Sequence, residues 1–96
     1  MGGYAARKAL EVVENVERVI GIELYCAVQA LHLLGAKEFP STKPINAVFE
    51  AVAAKVDPYL EDRITFTDQD LVIEMVQSGE ILDAVLGCGV EIPDLY

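Results

Sequence analysis

Few side chains in this chain of 96 residues have the chemistry for catalysis or metal binding. The single histidine, His32, lies in an apolar stretch with no Cys or carboxylate three or four residues away, so it lacks the local partners of a metal site. Packing or an interface is the role its surroundings predict. The two cysteines, Cys26 and Cys88, show no metal or redox spacing. Cys26 sits among apolar neighbours, where a buried free thiol suited to a reducing compartment is expected. The two serines, Ser41 and Ser78, fall in no Gly-x-Ser-x-Gly motif. Gly87-Cys88-Gly89 is not followed by a helix and reads as a chain terminator, not a phosphate loop. The acid pairs Glu61/Asp62 and Asp68/Asp70 read as a solvated connector and a helix start. Glu23, the one acid in an otherwise apolar run, needs a partner if it is buried, and an interhelical salt bridge is the simplest. The sequence therefore nominates no catalytic, cofactor-binding or metal-binding residue.

The elements are more informative than the side chains. From Ala5 to Leu34 no proline interrupts a helical pattern, and its one glycine, Gly21, is tolerable there. Thirty helical residues span about 45 Å, whereas a compact domain of this size is about 30–35 Å across. Arg7, Glu11, Glu14 and Arg18 form a charged stripe at i, i+4, i+7 and i+11, opposed by Leu10, Val13, Val16 and Ile20. From Val19 to Ala36 the helix is apolar nearly all round, which calls for burial on every side. The rest of the chain is too short to wrap it. A larger helical assembly is the expectation, formed with the remainder of a longer polypeptide, with other copies, or with both.

Beyond Met1–Tyr4, read as a flexible lead-in, the remaining elements are short. Gly35 is placed to end the long helix in a left-handed cap. A loop over 37–43 follows. Pro44 opens a second helix with Ile45, Val48, Phe49, Val52 and Val56 on one face, and Pro58 stops it. Asp57-Pro58 could start a further turn to Leu60. Ile64–Phe66 reads as extended. Thr67 reads as an N-cap, with Asp70 reaching back to it. Ser78-Gly79 breaks that helix before a last one over Glu80–Leu86, which Gly87 closes, and Cys88–Tyr96 is a tail. The fold class predicted is all-α: one long buried helix plus three or four short ones, part of a larger helical bundle. The whole chain forms one unit, with 5–34 as the core helix and 44–96 as a cap.

Composition narrows the partners. The hydrophobic fraction is 53% and the net charge is −9. The acidity argues against nucleic acid and anionic membranes. Residues 1–37 are neutral, with four acids and four bases, so residues 38–96 carry the whole −9. The apolar run reaches the lower limit for a membrane span, but Glu23 and the charged helix before it argue against one. No signal peptide is recognisable, and a cytoplasmic location is expected.

The long helix also carries a resemblance. The run Glu14-Asn15-Val16-Glu17-Arg18-Val19-Ile20-Gly21-Ile22-Glu23-Leu24, continuing through Ala27-Val28-Gln29-Ala30-Leu31, resembles the C-terminal part of histidine ammonia-lyases. These belong to the aromatic amino acid ammonia-lyase and aminomutase family. Asp62-Arg63 and Asp68 resemble the family's Asp-Arg and acidic helix start, and Met1-Gly2 resembles the point after its Gln-Glu-Asp-His segment. His32 stands where Asp is common. The resemblance implies elimination of ammonia from an L-amino acid, histidine giving urocanate. It implies a methylidene-imidazolone electrophile made from an internal Ala-Ser-Gly, and a homotetramer built around long helices. This chain has no Ala-Ser-Gly, so the electrophile and the catalytic residues are expected upstream and the chain alone is expected to be inactive. Two other readings remain open: a stand-alone helical oligomerisation module without activity, and a subunit that complements a separately encoded catalytic polypeptide.

Overall fold

The computed structural model describes residues 2–35, 38, 41–58 and 65–91. Among them are four helices and no strand: α1 (Gly2–Leu33), α2 (Lys43–Ala53), α3 (Phe66–Ser78) and α4 (Glu80–Leu86). The all-α class is as expected. The molecule measures 54 × 38 × 16 Å, with a radius of gyration of 15.5 Å. A compact chain of this length has a radius near 13 Å. The excess comes from α1, whose 32 residues span about 48 Å.

Helix boundaries follow local chemistry. α1 starts three residues earlier than its apolar pattern, at Gly2, so the expected lead-in through Tyr4 is helical. At the other end Gly35 takes a φ of +77° and its N–H donates to the His32 carbonyl, the left-handed stop that the sequence places there. The entry to α2 is held twice. Thr42 Oγ1 accepts from the Ile45 N–H, and Asn46 clamps the Ser41 backbone through both ends of its amide. Pro44 sits in the first turn, where a missing N–H costs nothing. α2 ends at Ala53, before Pro58 is reached. Asp57 and Pro58 are not helical. The rest of that expected turn, Tyr59 and Leu60, lies outside the described residues, as do Glu61, Asp62, Arg63 and Ile64 and the tail from Ile92.

The start of α3 departs from expectation. Its N-cap is Thr65, not Thr67, and Phe66 is its first helical residue, not an extended one. Thr65 makes no side-chain bond to the helix backbone. Instead Gln69 Nε2 donates to its hydroxyl at 3.2 Å. Thr67 followed by Asp70 is the stronger capping pattern in sequence, yet both residues lie inside the first turns. Gly79 joins α3 to α4 with a φ of +85°, and α4 ends at Leu86 as expected.

The core is small: Val28 from α1, Phe49 and Val52 from α2, Val56 just beyond it, and Val72 and Met75 from α3. Leu24, Tyr25, Leu31, Ala51, Ala53 and Ile81 pack around it. Only Gly21 and Val28 of α1 are buried. The buried side chains among the described residues thus come mostly from the segment expected to be the cap, not from the helix expected to be the core, and α1 leans on that segment with one stripe of its lower half.

Candidate functional site: an apolar assembly surface

The surface of α1 is the feature that needs a function. One stripe, running through Gly21, Leu24, Tyr25, Val28, Leu31 and His32, faces the rest of the chain. At Gly21 the contact is tight: a Cβ there would lie 2.5 Å from Ile73 Cγ1 and 2.9 Å from its Cα. Only a glycine lets α3 approach α1 this closely. Further down, the His32 ring meets the Phe49 ring at a centroid distance of 4.7 Å and an angle of 56°, joining α1 to α2. His32 is therefore a packing histidine, in keeping with its sequence context. The Tyr25 hydroxyl is buried and has no hydrogen-bond partner among the described residues.

Away from that stripe α1 is open. Leu10, Val12, Val13, Val16 and Val19 are each at least 50% exposed, and Ile20 and Ile22 at least 42%. Leu33 and Leu34 are exposed as well. Isolated exposed apolar side chains are ordinary, but a continuous run of them along one helix marks an interaction surface. Below this run an apolar groove of about 240 Å³ lies between α1, α2 and α4, with Leu24, Ala27, Leu31, Ile45, Val48 and Val85 in its walls.

Two expectations about single side chains are corrected in this chain. Cys26 is exposed, not buried, because it projects from α1 away from the stripe that packs on α2 and α3. Glu23 is also exposed, so within this chain it needs no partner. Both errors share a cause. The all-round apolar composition marks α1 as a helix that packs, but this chain covers only one side of it.

Among the described residues no catalytic groups converge. Among the described residues no group of three His, Cys, Asp or Glu side chains could hold a metal ion. Ser78, the one serine followed by glycine, is preceded by Gln77, so it does not form the Ala-Ser-Gly precursor of the family's electrophile. Its hydroxyl donates to the Met75 carbonyl at 3.2 Å and serves the end of α3. The residues present do not fit that electrophile. No helix among the described residues is long and apolar enough to cross a membrane.

Comparison with known proteins supplies the context for this surface. A family model described as aromatic amino acid lyase matches residues 1–54, which takes in α1 and α2. Histidine ammonia-lyase of Caenorhabditis elegans is 43% identical over 86 residues, covering 90% of this chain and 12% of that protein. Histidine ammonia-lyase of Symbiobacterium thermophilum is 42% identical over 86 residues, covering 88% of this chain and 16% of that protein. The enzyme of the same name from Homo sapiens is 43% identical over 68 residues, 71% of this chain and 10% of that protein. The chain thus spans less than a fifth of the length of these relatives. No solved structure matches it. The matched region, the all-helical fold and the open face of α1 lead to one assignment: this chain belongs to the aromatic amino acid lyase family.

Proposed function

We propose that this chain is a structural segment of a histidine ammonia-lyase, the enzyme that eliminates ammonia from L-histidine to give urocanate. It contributes packing, not catalytic groups. The observation that carries this reading is the pairing of high identity with partial coverage. About nine-tenths of the chain aligns at 42–43% identity, yet it corresponds to under a fifth of each enzyme. The open apolar face of α1 supports it, because a contiguous exposed apolar run marks an interaction surface. Its partners are the remaining lyase polypeptide, which carries the methylidene-imidazolone, and other subunits reached through α1. The assembled enzyme is a cytoplasmic homotetramer that binds neither nucleic acid nor membrane.

The test is association in trans. The 96-residue chain is mixed with a relative's polypeptide from which the matching segment has been deleted. A stable complex is expected by light scattering, together with formation of urocanate from histidine. Two well-folded components that neither associate nor form urocanate would remove the reading. A stable homo-oligomer of the chain that ignores the lyase polypeptide would leave the oligomerisation module in its place.

A further inference from the structure

A second cavity, of about 380 Å³, opens where α2 and α3 end and α4 begins, and α1 contributes nothing to it. Its volume falls within the range of small-molecule sites, about 300–1,000 Å³. One face of α3 forms the first wall, because Leu71, Glu74, Met75 and Ser78 recur at i, i+3, i+4 and i+7. Lys55, just past α2, and Glu80, the first residue of α4, form the second.

The lining divides by chemistry. Leu71, partly exposed, and Met75, anchored in the core, supply an apolar part. Lys55 Nζ donates to Glu80 Oε2 at 2.7 Å. That bond holds the ammonium group in the cavity wall and engages one of its three donors, so a second acceptor can be bound there. Glu74 is different. It is exposed and has no ion-pair partner among the described residues. No basic residue stands in the last turn of α3, so nothing on that helix offsets the negative end of its dipole. The α3 wall therefore favours a cation, and the Lys55 wall an anionic oxygen. Ser78 is already committed, since its hydroxyl donates to the Met75 carbonyl and accepts from the Glu80 N–H.

A ligand that uses the whole lining carries one positive group, one negative group and an apolar body between them. A simple anion would meet two carboxylates, and a simple amine would leave Lys55 unused. We propose that this cavity binds a free α-amino acid with an apolar side chain. Its ammonium group lies on Glu74, its carboxylate on Lys55, and its side chain against Leu71 and Met75. Glu80 is a positioning residue that holds Lys55. The inference goes beyond the proposed function and does not rest on it, because every lining residue lies outside α1 and the site does no chemistry.

Isothermal titration calorimetry of the 96-residue chain tests it with three probes of similar shape. These are L-leucine, isoamylamine, which lacks the carboxylate, and isocaproate, which lacks the ammonium group. Saturable binding of L-leucine is expected, at least tenfold tighter than either analogue, in line with the strength of one hydrogen bond to a charged group. Glu74→Gln should weaken L-leucine at least tenfold while leaving helical circular dichroism unchanged, since the side chain is exposed. Lys55→Met, which keeps the aliphatic stem, should abolish the preference for L-leucine over isoamylamine. No binding of L-leucine overturns the proposal. So does equal affinity for isoamylamine, which would mark a bare cation site. Unchanged L-leucine affinity in Glu74→Gln, or a preference that survives Lys55→Met, overturns it as well.

Discussion

At Gly21 the packing of α1 on α3 depends on the absence of a methyl group. Alanine is the better helix former by about 1 kcal/mol, so an unpacked Gly21→Ala would stabilise α1. Here the new Cβ would press on the Ile73 backbone, 2.9 Å away, which cannot rotate aside as a side-chain tip can. Overpacking of this kind costs about 1–3 kcal/mol. Urea unfolding of Gly21→Ala should show a net loss, and a net gain would mean that α3 does not lie against α1 at this point. Met75 is 2% exposed at the centre of the core, so Met75→Ala should cost about 2–5 kcal/mol in the same assay. Glu80 provides the contrast. It pairs with Lys55 at 2.7 Å, but both side chains are well exposed, and Glu80→Gln should change stability by less than about 1 kcal/mol. At this scale the sequence was legible where a residue's role is local. Gly35, Gly79 and the apolar set Phe49, Val52 and Val56 could be placed directly. The exposure of Cys26 and Glu23 could not, because it depends on which side of α1 the rest of the chain occupies.

At the scale of the element, boundaries set by glycine were readable and those set by competing caps were not. Gly79 adopts a left-handed conformation that separates α3 from α4, and a side chain there is strained by about 1–2 kcal/mol. Gly79→Ala should therefore lower the urea midpoint, and an unchanged midpoint would show that the α3–α4 break is not fixed by that dihedral. The start of α3 shows the limit of pattern reading. Thr67 with Asp70 is a better capping signature than Thr65, yet the helix begins at Phe66, ahead of that signature. Val72 and Met75 pack within the core from α3 whichever threonine caps it, so burial leaves the exact start to weaker forces. At the N-terminus of α1 the small Gly2 and Gly3 carry no apolar signal, which hid the first turn from a reading based on periodicity.

At the scale of the molecule the dominant fact is an imbalance. Among the described residues a core of six buried side chains supports a chain that is 53% hydrophobic, and apolar side chains are displayed along α1 and in the groove beside it. Helix length alone makes this imbalance legible in the sequence, since about 45 Å of apolar helix exceeds what so short a chain can enclose. What covers that helix was not legible, because no residue of a partner is in the sequence. The proposed covering of α1 by a lyase polypeptide would account for the open apolar helix and for the absence of an Ala-Ser-Gly precursor together. The most direct test is the rate of urocanate formation when this chain, or its Val16→Glu variant, is added to a lyase polypeptide lacking the matching segment. Restored activity with the unsubstituted chain and at least a tenfold lower rate with Val16→Glu, equivalent to about 1.4 kcal/mol of assembly, is the predicted result. Equal activity with both chains would contradict the role given to the α1 face, and no activity with either would contradict the assignment of this chain to a working lyase.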